Sequence, residues 1–422
     1  MIKTPMKMTT ATDAQAPYAA FLALDWADQR HAFCLCPAGS DQVESGTVKH
    51  EPQELHRWLE ELGRRFGNQP IAVAVELTRG PLVWALFEHR FLTIYPVTPI
   101  LTAKLRQGFF PAGAKSDPAD SRLLLSILQL HRAELRALRL DDQQTRLLGQ
   151  LTVDRRHVVE QRTAVVEQLT AALKEYYPLA LEVAGKLTTS AAARFLQKWP
   201  TLEQLQSAKP QVLRNFYYGQ NCRADVEGRL QQIKEARPLT NDAAVIEAGR
   251  RKVQCLAQWL LVLNEHITDY EERIEQLYRA HPDRALVSEL PGAGAALAPR
   301  LLAAFGLDRA RFQAASNLAA YSGIGPVLRS SGKIKLCLKR MAFPPFLHQT
   351  FFEFAGKSVA FSQWAAKYYA IRKAQGREHN AIIRSLAFKW IRILWRCWQD
   401  NQPYNEAQYL AVLKAKGSPY AT

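Results

Sequence analysis

Ile71-Ala72-Val73-Ala74-Val75-Glu76 is the stretch on which the reading of the fold turns. Five consecutive apolar residues, ended by an acid, read as a strand buried on both faces. Upstream, Ala19-Ala20-Phe21-Leu22-Ala23-Leu24-Asp25 has the same shape and also stops at an acid. Arg30-His31-Ala32-Phe33-Cys34-Leu35-Cys36 reads as its hairpin partner, and Gly46-Thr47-Val48 as a third strand. Pro52 to Arg65 places Leu55, Trp58, Leu59 and Leu62 at helical spacing. Pro81 to Arg90 reads as a helix and Leu92-Thr93-Ile94-Tyr95-Pro96-Val97 as a further strand. Sequential hairpins followed by strands separated by helices predict an α/β domain with a mixed sheet.

From about Asp117 the pattern turns helical. Asp120 to Leu138 repeats Leu123, Leu124, Ile127, Leu128, Leu130 and Leu135, and Asp142 to Tyr176 continues at similar spacing. Ala243 to Ala280 is a second long helix, and the two could pair as an antiparallel coiled coil. Prolines 178, 200, 210 and 238 break the region between them into shorter helices. His281-Pro282 suggests a boundary. Tyr321 to Gly332 reads as a Gly- and Ser-rich loop, followed by basic, aromatic-rich helices to about Trp398. The expectation is α/β plus α: a lead-in over 1–17 expected to be disordered, an α/β domain over 18–140, a helical coiled-coil region over 141–282, and a mostly helical domain over 283–422. No apolar run is long enough for a membrane span, and the N-terminus lacks the apolar middle of a signal peptide. The six cysteines read as buried free thiols of a reducing cytosol.

The net charge is +16, unevenly spread. Residues 1–150 carry 17 basic and 16 acidic side chains, residues 151–328 carry 22 and 19, and residues 329–422 carry 16 and 4. A positive field so concentrated at the C-terminal end argues for a polyanionic partner. Nucleic acid is favoured over a membrane surface, because aromatics lie among the charges and no lipidation signal is present. Most of those aromatics recur at helical spacing and read as core.

Asp25 and Glu76 each end a strand, and Asp117 and Asp120 stand three apart at a helix start, on one face. Neighbouring strands could bring all four together. Such a cluster needs divalent cations to offset its repulsion, and hard oxygen ligands suit Mg²⁺, which serves phosphodiester chemistry. Taken singly, Asp117 and Asp120 read equally well as a helix cap and a first-turn acid, with Pro118 at the first helical position. Leu290-Pro291-Gly292-Ala293-Gly294 lacks the βαβ context of a dinucleotide site. It reads either as a hairpin whose backbone N–H groups hold a phosphate or as a structural turn. Arg329-Ser330-Ser331-Gly332-Lys333 reads by default as a turn. A serine there could attack a phosphodiester if deprotonated, with Arg329, Lys333, Lys335, Lys339 and Arg340 supplying positive charge.

In order along the chain, Leu24-Asp25-Trp26-Ala27 with His31, Val75-Glu76-Leu77-Thr78-Arg79-Gly80, Val97-Thr98-Pro99 with Lys104 and Arg106, and Gly113-Ala114-Lys115-Ser116-Asp117-Pro118-Ala119-Asp120-Ser121 resemble the insertion-sequence-110 family of transposases. Arg79 stands where that family usually has Gly, and Met341 to Phe346 departs from its small-residue pattern. The resemblance runs from about Phe21 to Trp398. It implies a RuvC-like first domain of the RNase H type, with Asp25, Glu76, Asp117 and Asp120 as a Mg²⁺-binding catalytic quartet. It implies a second domain whose nucleophile falls on Ser331, with Ser330 as the neighbouring alternative. The nucleic-acid contacts implied are Lys104, Arg106, Lys115, Arg329, Lys333, Lys335, Lys339 and Arg340. It further implies a recombinase acting on double-stranded target and donor DNA, guided by a structured non-coding bridge RNA. That enzyme is a homo-oligomer, a dimer or tetramer, located in the bacterial cytoplasm and on the nucleoid when bound. The competing expectations are a junction-resolvase-like metal-dependent nuclease without serine chemistry, a non-catalytic nucleic-acid scaffold, and a coiled-coil assembly protein with an inert head.

Overall fold

The five strands of the N-terminal sheet are β1 (Ala20–Asp25), β2 (Arg30–Pro37), β3 (Glu44–Lys49), β4 (Ile71–Val75) and β5 (Leu92–Pro96). They lie in the order β3-β2-β1-β4-β5. The two hairpin pairings are antiparallel, while β1 with β4 and β4 with β5 are parallel. The structure is a computed structural model; it describes residues 18–109, 117–331 and 334–421, so the lead-in expected over 1–17 lies outside the described residues. The chain divides into two compact units, Met1–Leu140 and Asp141–Thr422.

In the first unit the helices are α1 (Pro52–Arg65), α2 (Pro81–Phe87), α3 (Pro99–Phe109) and α4 (Asp117–His131). The pleat sorts the central strands onto two faces. Leu22, Leu24, Val73 and Val75 meet the apolar stripes of α1 and α2, where Leu55, Leu59, Leu62, Leu82, Val83 and Leu86 are buried. On the opposite face the middles of β1 and β4 carry the small Ala23, Ala72 and Ala74, and the leucines of α4 pack there. Strands covered on both sides cannot alternate apolar with polar residues, which is why Ile71–Val75 reads as one continuous run. Small residues on one face let α4 lie close to the sheet.

The second unit is built on α5 (Gln143–Tyr176) and α11 (Ala243–Ala280). Between them run α6 (Ala180–Val183), α7 (Ser190–Lys198), α8 (Leu202–Ser207), α9 (Pro210–Gly219) and α10 (Val226–Glu235). Asp142 caps α5 by accepting from the N–H groups of Gln144 and Thr145, at 2.9 and 3.1 Å. Asp242 caps α11 in the same way. The two long helices are antiparallel: Arg155 pairs with Glu271, and Arg162 donates to Asn264 at 3.3 Å. One core fills the arm, from Val165 to Leu260.

A second core joins the base of α5 and α11 to the C-terminal helices. These are α12 (Ala285–Ser288), α13 (Gly294–Phe305), α14 (Ala315–Tyr321), α15 (Pro345–Phe361), α16 (Gln363–Ala374), α17 (His379–Asp400) and α18 (Glu406–Ala415). Trp364, Tyr368, Trp390 and Trp398 are buried here, as their helical spacing predicts. The expected loop over Tyr321–Gly332 is in part a β-hairpin, β6 (Val327–Ser331) with β7 (Ile334–Leu338). The alternation of Ile334, Leu336 and Leu338 with Lys335 and Cys337 is the signal, hidden by the Ser and Gly residues before it. All six cysteines are free thiols; Cys34 and Cys36 are buried, but Cys255 and Cys337 are exposed, against the expectation that all are buried. Among the described residues no helix is long and apolar enough to cross a membrane.

Candidate active site

Leu24 and Val75 are partners in the parallel β1–β4 register, so Asp25 and Glu76 are the next residues of adjacent chains. Adjacent strands lie about 4.8 Å apart, which makes these carboxyl-bearing positions neighbours at one sheet edge. By the same alternation Asp25 falls on the face of Ala23, the face covered by α4. Asp120 stands one turn into α4 and is only 7% exposed.

Helix α3 holds two of these acids. The Thr102 hydroxyl, itself buried, donates to Glu76 Oε1. One turn further, Arg106 reaches Asp120: Nε and Nη2 both approach Oδ1, at 2.8 and 2.7 Å. Residues four apart share a helix face, so a single face of α3 serves both carboxylates. Arg106 was expected to contact nucleic acid; its guanidinium is engaged by Asp120. Lys104, on the same helix, is exposed. Lys115 and the side chain of Asp117 lie outside the described residues, although the backbone of Asp117 opens α4. Among the described residues no group of three or more His, Cys, Asp or Glu side chains converges as a metal site.

The turn after Asp25 is fixed by a histidine. His31 is fully buried, and its Nδ1 accepts from the Ala27 N–H at 3.2 Å. The ring hydrogen therefore sits on Nε2, facing His50 Nδ1 at 3.0 Å. Trp26 stacks on the His31 ring, with centroids 4.9 Å apart. Burial, and then the neighbouring His50, push the His31 pKa down to about 4, so the ring is neutral at pH 7. Thr102 and His50 are the site neighbours that motif spacing did not single out. The one available signal was the four-residue step from Thr102 to Arg106.

In the second unit the basic segment lies on the β6–β7 hairpin. Ser331 is paired with Ile334 and Ser330 with Lys335 in the strand register. Ser330 and Lys339 are exposed, and Arg340 is half-buried. The side chains of Arg329, Ser331 and Lys335 lie outside the described residues, as does Lys333 altogether. The Leu290–Gly294 turn packs tightly: Gly292 has φ +80°, and a Cβ there would stand 3.1 Å from the Lys357 carbonyl. That turn is where α13 begins.

Both units match known transposases. Residues 22–178 match a transposase model of the IS110 type, and residues 284–370 match the transposase family of IS116, IS110 and IS902. Together the two matches cover more than half of the chain. The protein belongs to the IS110 family of insertion-element transposases. It is 26% identical to the mini-circle protein of IS117 from Streptomyces coelicolor, over 93% of this chain and 97% of that one. It is 24% identical to the 43.6 kDa protein of IS110 from the same organism, over 91% and 95%. It is 27% identical to the 42 kDa protein of IS900 from Mycobacterium paratuberculosis, over 72% and 76%.

Proposed function

We propose that this protein is a DNA recombinase of an insertion element, joining a RuvC-like carboxylate site to a serine nucleophile. The observation that carries the reading is the placement of Asp25 and Glu76 at adjacent parallel strand ends, with Asp120 buried on the helix that covers the same face. The strand order β3-β2-β1-β4-β5, three antiparallel strands continued by two parallel ones, supports the RNase H-type assignment. The donor types suit Mg²⁺, because Asp25, Glu76, Asp117 and Asp120 offer only hard carboxylate oxygens and Asp120 is a buried carboxylate that needs a cation beside it. These four residues would hold the ion, which supplies Lewis-acid stabilisation of charge on a phosphodiester.

The residues of the chain then divide the work. Thr102 holds Glu76 and the His31 ring fixes the turn after Asp25, so both acids are aimed before any strand arrives. Ser331 Oγ loses its proton and bonds to a DNA phosphorus while one deoxyribose oxygen leaves and takes up a proton. Attack by a second deoxyribose hydroxyl on the serine phosphodiester rejoins the strand and restores the serine. Arg329, Lys333, Lys335, Lys339 and Arg340 offset phosphate charge around the hairpin. Lys104, exposed on α3, and Lys115 contribute further contacts to nucleic-acid phosphate. A structured non-coding RNA is the guide, and double-stranded donor and target DNA are the substrates. The working form is a homo-oligomer. The basic C-terminal end supports a polyanionic partner, since three of its four acids are already tied internally: Glu353 to Arg300, Asp400 to Arg396, and Glu406 to Ser362 and Tyr404.

The test is denaturing capture of DNA on the protein from cells carrying the element, followed by sequencing of co-purified RNA. Wild type is expected to hold DNA covalently, Ser331→Ala to lose it, and Ser330→Ala to keep it. If Ser331→Ala still cuts DNA at wild-type rate, the serine has no chemical role and the site is a water-using nuclease.

A further inference from the structure

Asp120 is buried, and a carboxylate in that position is costly unless a cation or donors compensate it. The compensation comes from Arg106, which places two donors on one oxygen of Asp120. Arg106 is itself 24% exposed, so one side of the guanidinium still meets solvent. Its neighbour on the helix, Lys104, is exposed and basic. Among the described residues no second carboxylate pairs with Arg106.

We infer that Arg106 is a resident counter-cation of the carboxylate site, which opposes divalent metal until a nucleic-acid strand draws its guanidinium away. This rests on the reading of Asp25, Glu76, Asp117 and Asp120 as metal-binding residues. A positive charge in contact with Asp120 lowers the affinity of that site for any further cation, whether or not the guanidinium moves. A backbone phosphate is the partner that can compete for it, since guanidinium binds phosphate as readily as carboxylate. Strand binding and metal loading then strengthen each other, by the reciprocity of linked equilibria. Thr102 has no such effect: it is uncharged and holds Glu76 in place without competing for the ion.

The experiment is a Mn²⁺ titration of the full-length protein, read by the electron paramagnetic resonance signal of free Mn²⁺. It is run with and without a double-stranded oligonucleotide and corrected by a DNA blank. Without DNA, Arg106→Gln is expected to bind Mn²⁺ at least about tenfold more tightly than wild type, the loss of one charge-assisted hydrogen-bonded pair. In EDTA the same variant melts at a lower temperature, because Asp120 is left without its cation. Arg106→Lys keeps the charge and stays close to wild type. DNA tightens Mn²⁺ binding more in wild type than in Arg106→Gln, where no guanidinium has to be displaced. A purely structural role predicts the opposite sign, with Arg106→Gln losing both stability and metal affinity, and that result overturns the inference. Should Arg106→Gln not fold, a wild-type Mn²⁺ midpoint that DNA leaves unmoved overturns it instead. If neither wild type nor variant binds Mn²⁺, the metal-site reading fails together with the inference.

Discussion

Glu353→Ala tests how the C-terminal unit holds its helices together. Arg300, on α13, is 6% exposed, and its Nη1 donates to Glu353 Oε2 on α15 at 2.6 Å. Its Nε donates to Thr350 Oγ1 at 3.1 Å, and Nη2 has no partner among the described residues. The ring of Phe346 lies 4.7 Å beneath the guanidinium. Burial pushes the Arg300 pKa down and Glu353 pulls it back, so the carboxylate is the main compensation for this buried charge. Removing one partner of a buried pair costs about 3–5 kcal/mol. Glu353 is about a third exposed and also meets Arg156 at 3.3 Å, which places the loss at the low end, about 3 kcal/mol. That corresponds to a fall of roughly 6–9 °C in the melting midpoint of the unit. Arg300→Met keeps the apolar stem and removes the charge, so the double variant Arg300→Met/Glu353→Ala should recover much of the loss. Urea unfolding of the four proteins measures the coupling. If Glu353→Ala costs no more than Glu275→Ala, which breaks an exposed pair with Arg279 and should cost about 0.5 kcal/mol, the buried-charge reasoning fails. A double variant no more stable than Glu353→Ala refutes it equally.

Gly249→Ala should loosen the arm by about 1–3 kcal/mol, because a Cβ there would stand 2.5 Å from the Tyr176 ring, which is buried between α5 and α11; circular dichroism melts measure it, and an unchanged midpoint contradicts the packing. His281 is buried, accepts from the Asp283 N–H at Nδ1 and faces Thr145 with Nε2, and burial holds its pKa below the ordinary 6.5. The unfolded imidazole takes up protons below that pH while the native one resists, so stability is complete above pH 6.5 and is lost as the pH falls below it. Urea titrations across that window should show a slope that His281→Gln reduces. Arg372 and Arg377 line a cavity of 260 Å³ beside Tyr368, in the basic end of the chain. If they contact phosphates, replacing both by Gln should lower the slope of log affinity for DNA against log salt by up to about 2. An unchanged slope in fluorescence anisotropy would remove them from the interface.

The central strands β1 and β4 were legible because burial on both faces leaves only apolar residues between the bounding polar ones. Ile71–Val75 and Ala20–Asp25 follow that rule, the first running up to Glu76 and the second ending at Asp25. The long helices were legible for a different reason. Asp142 and Asp242 are caps, and the apolar stripes behind them run unbroken to Tyr176 and Ala280. Asp120 was visible as a candidate because it stands on the first turn of α4. The β6–β7 hairpin was not visible, since Ser330, Ser331 and Gly332 carry turn chemistry that masked a two-residue alternation on either side. The exposure of Cys255 and Cys337 was equally hidden, because which face of an element is covered depends on neighbours distant in sequence.

Local pattern alone therefore determined which segments are strands and helices, where the acids fall along them, and where positive charge accumulates. These properties follow from side-chain periodicity and composition, which act over a few residues. Only the tertiary structure decided that β4 lies beside β1, so that Asp25 and Glu76 become neighbours, and that α3 turns one face to two of the acids. Strand order and helix docking are set by burial summed over the whole unit, and no short stretch of the chain carries that sum.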